Sequence, residues 1–176
     1  MQARSSAPAW PAAIHRELKS WAVRQVAHVP DAGHTQLINL CAADKAMRVV
    51  PLTTEEEGVA LLAGAWLGGE RGVLLMQSSG VGNCINMLSL TRTCRLPLLA
   101  IVTMRGEFGE FNPWQVPMGR ATPQALELAG VLCFRAAAPE EVTPTVAAAA
   151  RMAFEGPQAT AVLLAQQLIG VKSFKQ

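Results

Sequence analysis

The segment MRVVPLTTEEEGVALLAGAWLGGERGVLLMQ, residues 47–77, contains the pattern of a strand, a helix and a second strand in succession. Its apolar ends, MRVVPL (47–52) and GVLLMQ (72–77), are short, which is typical of strands buried on both faces of a parallel sheet. The intervening stretch starts with Thr54-x-x-Glu57, a capping-box pattern, and predicts a helix over 55–67. Two parallel strands joined by a helix form a βαβ unit.

The same alternation extends along the whole chain of 176 residues. It predicts a doubly wound α/β fold with about six parallel strands and helices on both faces. Residues 1–9 are expected to form a flexible tail, residues 10–176 a single domain, and residues 105–121 a long loop. The other predicted strands are 24–30, 97–104, 131–136 and 159–166, and the other predicted helices are 11–24, 35–44, 83–94, 122–130 and 139–155.

Composition excludes several classes of protein. Hydrophobic residues make up 51% of the chain, as in a globular protein, and the net charge of +2 is spread without a basic stripe for nucleic acid or an anionic membrane. No apolar run reaches the ~18 residues of a membrane span, and the N-terminus is a poor secretion signal. The four cysteines show no CxxC spacing and the three histidines no HxxxH pair, so no metal site is predicted. Buried free thiols and a cytoplasmic location are expected.

Polar residues gather where the predicted strands end, which is where ligands bind in such sheets. Three adjacent glutamates follow the second strand. Capping explains Glu57, and the helix dipole accounts for Glu55. Glu56 is then left to point into the crevice, where a carboxylate held among apolar groups can share a proton with a ligand nitrogen. A purely structural helix start is the alternative.

Two glycine patterns have less specific meanings. Gly80 and Gly82 in MQSSGVGN (76–83) match no complete phosphate-loop motif, and a plain turn is favoured over a phosphate cradle. Ala60, Gly64 and Gly68 recur every four residues on the predicted helix. This face has almost no side chains, so another helix can approach it closely, within the domain or across a subunit boundary.

Taken together, these motifs resemble the pyrimidine-binding domain of thiamine-diphosphate decarboxylases, most closely those acting on sulfopyruvate and phosphonopyruvate. The resemblance covers about residues 14–168. The pair MQSSGVGN and MRGE…QVPMG carries it most specifically. The other stretches that carry the resemblance are VPDAGH, TTEEEGVALLAGAWLGG and NPWQVPMG.

The resemblance implies roles for individual residues. Glu56 is matched to the family glutamate that binds N1′ of the aminopyrimidine and promotes deprotonation of the thiazolium. Asp31 is matched to a proton-relay acid, with an Asx-turn or helix cap as the alternative. His34 is expected on a helix surface rather than in a relay. Arg105 would meet the terminal anion of the substrate, or else be an exposed loop arginine. Further contacts are implied for the cofactor from Pro30, Asp31, Gln77 and Asn83, and for the substrate from Gln77 and Ser78.

The family binds diphosphate and Mg²⁺ through a Gly-Asp-Gly motif, and no GDG occurs in these 176 residues. The resemblance therefore implies an alpha subunit that works only with a beta subunit carrying Mg²⁺ and the diphosphate end of the cofactor. The implied reaction is decarboxylation of a small anionic 2-oxo acid, first sulfopyruvate and next phosphonopyruvate. A non-catalytic binding or regulatory module with the same fold is the alternative.

Overall fold

The computed structural model describes residues 9–171. Six parallel strands form one sheet in the order β2-β1-β3-β4-β6-β5, which confirms the predicted fold class. The predicted tail lies outside the described residues except for Ala9. The strands are β1 (Val23–His28), β2 (Arg48–Pro51), β3 (Arg71–Gln77), β4 (Leu98–Thr103), β5 (Leu132–Ala136) and β6 (Ala159–Leu164).

Helices cover both faces of this sheet. Two buried clusters form because alternate residues of the central strands point to opposite faces. Leu75 and Ile101 belong to the cluster beneath α1 and α7, whereas Leu74 and Val102 belong to the cluster on the other face. The helices are α1 (Trp10–Ser20), α2 (Thr35–Ala43), α3 (Glu55–Leu67), α4 (Ser78–Cys84), α5 (Ser89–Thr93), α6 (Val116–Leu128), α7 (Pro139–Phe154) and α8 (Gln166–Ile169), with a 3₁₀ turn at Pro113–Gln115.

Helix α3 begins as predicted. The capping box of Thr54 and Glu57 is present, and Glu57 Oε2 also accepts a hydrogen bond from the Thr53 amide at 2.9 Å. The predicted small-residue face is exposed at Ala60, Gly64 and Gly68. A Cβ at Gly64 would meet nothing within 4 Å, so no element of the described chain packs there.

Two of the predicted element boundaries are wrong. The predicted helix 83–94 is instead the two short helices α4 and α5, and α4 starts directly after β3. The predicted loop 105–121 ends early because α6 already begins at Val116, with a proline in its first turn, and the predicted helix 122–130 is its second half. The first half of α6 contains a proline and a glycine, which are poor helix formers, and Gly119 explains why a helix forms there all the same. A Cβ there would collide with the Arg105 carbonyl, so close packing fixes the helix despite its low propensity.

No helix among residues 9–171 is long and apolar enough to cross a membrane.

Candidate active site

The chain crosses from one side of β1 to the other between β2 and β3, which makes the β1/β3 boundary the topological switch point of the sheet. Asp31 follows the end of β1 and connects it with the end of β3. Its Oδ1 accepts from Gln77 Nε2 at 2.8 Å and its Oδ2 from Thr103 Oγ1 at 2.7 Å. Oδ2 also accepts a hydrogen bond from the Gly33 amide at 3.1 Å. This bond forms the Asx-turn that was the structural alternative for Asp31. A single carboxylate therefore links the ends of β1, β3 and β4.

Pro30 is exposed beside this network. With His28 and Asp31 it lines a cavity of about 390 Å³ that faces α2. The predicted cofactor residues Pro30, Asp31 and Gln77 thus lie at one edge of the sheet.

His34 lies beneath Asp31, so its expected place on a helix surface is wrong. Its side chain is fully buried, and Nε2 lies 3.0 Å from the Ile101 carbonyl and 3.3 Å from the Met76 carbonyl. Both neighbours are acceptors, so Nε2 carries the proton. Burial lowers the pKa of His34, although the Asp31 charge opposes this. The ring is therefore neutral and pins β3 to β4.

The two candidate glutamates of α3 have different surroundings. Glu55 is buried, with 7% of its surface exposed, and its Oε2 accepts from Asn83 Nδ2 at 2.8 Å. Glu56 is only half-buried, and its carboxylate makes no hydrogen bond with the described residues. Glu55, and not Glu56, lies on the buried face of α3, which continues through Gly58, Val59 and Leu62.

Helix α4 is shaped to receive Glu55. A Cβ at Gly80 would overlap the Glu55 carboxyl group, so the side chain lies directly against the α4 backbone. Cys84, one turn further on, is buried too. Burial, together with the charges of Glu55 and Glu56, raises the pKa of its thiol to about 12. Cys84 therefore stays protonated and is no nucleophile here.

Ser78 holds α4 in place. Its hydroxyl is fully buried and accepts from the Arg105 amide at 3.1 Å, and its carbonyl accepts from Thr122 Oγ1 at 3.2 Å. The Ser78 hydroxyl thus lies inside the fold, and its predicted contact with the substrate stays a prediction. The neighbouring Ser79 is exposed and donates to Gln77 Oε1 at 3.0 Å, which orients the Gln77 amide.

Arg105 is a buried residue, not an exposed loop arginine. Its Nε and Nη2 each donate to Glu110 at 2.6 Å, in a bidentate pair whose side chains are 10% and 3% exposed. The hydrogen bonds from Arg105 lower the pKa of Glu110 to about 2, and the pair raises the pKa of Arg105. Nη1 makes no hydrogen bond with the described residues.

The loop after β4 is tied down by Gln166 at the start of α8. Gln166 Oε1 accepts from the amides of Glu107 and Phe108, and its Nε2 donates to Glu110 Oε2 at 2.8 Å. A second bidentate pair, between Glu107 and Arg135, adds 2.7 and 2.8 Å contacts. These contacts give the guanidinium of Arg105 a fixed position.

The structure thus forms two polar groups beside α4. Asp31 and Gln77 lie at its start, Glu55 and Asn83 lie along its side, and the Arg105 amide contacts its first residue, Ser78. Sequence reasoning missed Thr103, Glu110 and Gln166, since their contacts join segments far apart in the chain. No group of three potential metal-ligating side chains occurs among residues 9–171.

Comparisons with known proteins place the chain in a family. Residues 11–109 match the family described as thiamine pyrophosphate enzyme, N-terminal TPP binding domain. The chain is 34% identical over 153 residues to sulfopyruvate decarboxylase subunit alpha of Methanococcus maripaludis, covering 86% of this chain and 92% of that one. The subunit alpha of Methanocaldococcus jannaschii is 38% identical over 130 residues, 73% and 77% of the two chains.

A phosphonopyruvate decarboxylase of Streptomyces viridochromogenes is 44% identical over 108 residues, which are 60% of this chain but only 27% of that protein. The match to the family model and the coverage of the two alpha subunits together establish membership. The chain belongs to the thiamine pyrophosphate enzymes and contains their N-terminal TPP binding domain.

Proposed function

We propose that this chain is the alpha subunit of a two-subunit thiamine-diphosphate-dependent decarboxylase, with sulfopyruvate as its substrate and sulfoacetaldehyde and CO₂ as products. The observation that carries the proposal is the Glu55 carboxyl group, buried against bare backbone at Gly80 with only one oxygen hydrogen-bonded. Two sulfopyruvate decarboxylase alpha subunits, which align with 86% and 73% of this chain, support the choice of substrate.

The residues present fit the aminopyrimidine end of thiamine diphosphate. When bound, the cofactor supplies a carbon nucleophile and an electron sink for the loss of CO₂. Glu55 would hold a proton toward the pyrimidine nitrogen through Oε1, while Asn83 fixes Oε2. The resemblance gives this role to Glu56, which is half-buried beside Glu55 and is the alternative proposal for the same role. A buried carboxyl group with a single fixed orientation is suited to proton transfer.

Asp31 and Arg105 would act on the substrate side. Asp31 is held by Gln77 and Thr103 at the switch point and would relay a proton. Gln77 would also contact the ligands, and Pro30 would border the cofactor. Arg105, oriented by Glu110, would present Nη1 to the terminal sulfonate of the substrate, since a guanidinium matches tetrahedral oxyanions.

The proposed partner is a beta subunit with the Mg²⁺ and diphosphate ligands, and the complex is proposed to be cytoplasmic. Large apolar side chains are exposed beside the candidate site, as is usual at protein interfaces. Phe108 is 53% exposed and Trp114 is 86% exposed, and both lie in the segment that follows Arg105.

Co-expression with candidate beta subunits tests the proposal. The purified complex is assayed for CO₂ release from sulfopyruvate, phosphonopyruvate and pyruvate with thiamine diphosphate and Mg²⁺. We expect sulfopyruvate to give the highest kcat/KM and pyruvate, which has no terminal anion, to be lower by at least about tenfold, the value of one charge-assisted hydrogen bond. Preference for phosphonopyruvate would favour that second activity, suggested by the Streptomyces relative. A complex that binds cofactor but releases no CO₂ would contradict the proposal and favour a non-catalytic module.

A further inference from the structure

A second cavity lies at the amino ends of β4 and β6, at the opposite edge of the sheet from the candidate active site. Its volume is about 520 Å³, and it opens between the end of α5, the turn before β5 and the turn before β6. The lining includes Thr91, Arg92, Arg95, Gly130, Gly156 and Gln158. None of these residues takes part in the site described above.

Two arginines that line this cavity have no ion-pair partner among residues 9–171. Arg92 and Arg95 are exposed, and neither forms an ion pair or a side-chain hydrogen bond with residues 9–171. Arg92 lies over Gly130, whose Cβ position would be 3.8 Å from Arg92 Cδ. By contrast, Arg105, Arg135 and Arg151 each contact a carboxylate. Two guanidinium groups thus share one cavity without a counter-charge.

The backbone of Arg95 is in a conformation that arginine seldom adopts. Arg95 has φ +53°, and the Leu96 amide donates to the Thr91 carbonyl at 2.9 Å, closing the end of α5. This is a Schellman motif with Arg95 at the position where glycine is usual. A non-glycine residue in this region is strained, and such strain is concentrated at functional sites. Folding alone would favour glycine here, so the side chain of Arg95 needs another explanation.

Two of the nearby carbonyl groups already accept hydrogen bonds. The Leu90 carbonyl accepts from the Cys94 amide at 2.9 Å, and the Gly156 carbonyl accepts from Gln158 Nε2 at 3.0 Å. The neighbouring carboxylates do not neutralise the arginines either. Glu127 lines a separate cavity that shares only Gly130, and Glu155 lies 3.8 Å from Arg151.

We propose that the cavity at Arg92 and Arg95 is a binding site for a small phosphate-bearing anion. Arginines bind tetrahedral oxyanions through paired N–H donors, and two of them match a dianion. The cavity is larger than a phosphate ion, so a phosphate monoester such as a nucleotide fits as well as the free ion. The site is independent of the proposed decarboxylase activity.

NMR on the full chain tests this site. Inorganic phosphate and, separately, AMP are titrated at constant ionic strength, with acetate as the control anion. We expect saturable amide shifts at Arg92, Arg95, Gly130 and Gln158 with the phosphate compounds and none with acetate. Tighter binding of AMP would identify an ester as the ligand, and equal binding would identify the phosphate group alone.

Arg95→Gly is the decisive variant because glycine suits the backbone at this position. It should keep or raise the Tm while weakening phosphate binding at least about tenfold, the effect of losing one charge-assisted hydrogen bond. Arg92→Ala should weaken binding similarly. Arg48→Ala, an exposed arginine on the far edge strand, serves as the matched control and should bind normally. Unchanged binding in Arg95→Gly, or non-saturable shifts in the unmodified chain, would overturn the proposal.

Discussion

The three adjacent glutamates have three different environments. Glu57 caps α3, Glu55 is buried against α4, and Glu56 is half-buried. The capping role could be predicted from Thr54-x-x-Glu57, because it depends only on local spacing. The choice between Glu55 and Glu56 depends on which way the helix faces. The burial of Glu55 could be predicted, since the buried positions 58, 59 and 62 extend back to 55 at helical spacing.

The Arg105–Glu110 pair predicts a pH effect on stability. The pKa of Glu110 is held at about 2, below its ordinary value of 4.5, mainly by Arg105. A depressed pKa contributes stability that is fully present above the ordinary value and is lost as the pH falls toward 2. Glu110→Gln should lower the free energy of unfolding by roughly 1–3 kcal/mol at pH 7. The difference in the free energy of unfolding between this variant and the unmodified chain should shrink as the pH falls from about 4.5 to 2.

Urea unfolding across this pH range measures the difference directly. Asp44, whose pKa is also held at about 2 through its hydrogen bond from Lys19, is present in both proteins, so its contribution cancels. A gap that stays constant down to pH 2 would mean that the charge on Glu110 does not stabilise the fold.

At the scale of elements, the strands were predictable and two helical regions were not. The buried strands are continuous apolar runs, so composition alone identifies them. Helices α4 and the first half of α6 contain Gly80, Gly82, Pro117 and Gly119, which local propensity assigns to turns. They form because the missing side chains permit close contacts, with Glu55 at Gly80 and with the Arg105 backbone at Gly119. Such contacts are tertiary and cannot be seen in local sequence.

Two helix glycines should therefore respond in opposite directions to the same substitution. Gly80→Ala places a Cβ into the Glu55 carboxyl group and should destabilise the chain by about 1–3 kcal/mol. Gly64→Ala enters open space on α3 and should stabilise it by about 0.5–1 kcal/mol. Chemical unfolding of the isolated chain measures both.

A double variant identifies the cause of the Gly80 effect. If the Glu55 contact is responsible, Gly80→Ala combined with Glu55→Ala should lose less stability than the two single changes added together. If the losses of stability in the two single variants add up to the loss in the double variant, the Glu55 contact is not the cause of the Gly80→Ala effect.

At the scale of the whole molecule, we propose that the candidate site is one half of a cofactor site. Asp31, Gln77 and Glu55 lie at the carboxyl edge of the sheet, and the sequence contains no GDG motif. The chain alone should therefore bind thiamine diphosphate weakly and without dependence on Mg²⁺. Calorimetry with and without Mg²⁺ tests this, and micromolar, Mg²⁺-dependent binding by the isolated chain would contradict the two-subunit account.

The central claim is that Glu55, and not its neighbours, activates the cofactor, and C2 hydrogen–deuterium exchange of bound thiamine diphosphate tests it most directly. The exchange is measured in the assembled complex for Glu55→Gln, with Glu56→Gln as the matched control. Glutamine keeps the shape of the side chain but removes the acid–base group, so exchange in Glu55→Gln should slow by at least about 10²-fold. Exchange in Glu56→Gln should match the unmodified complex. Normal exchange in Glu55→Gln together with slow exchange in Glu56→Gln would contradict the assignment.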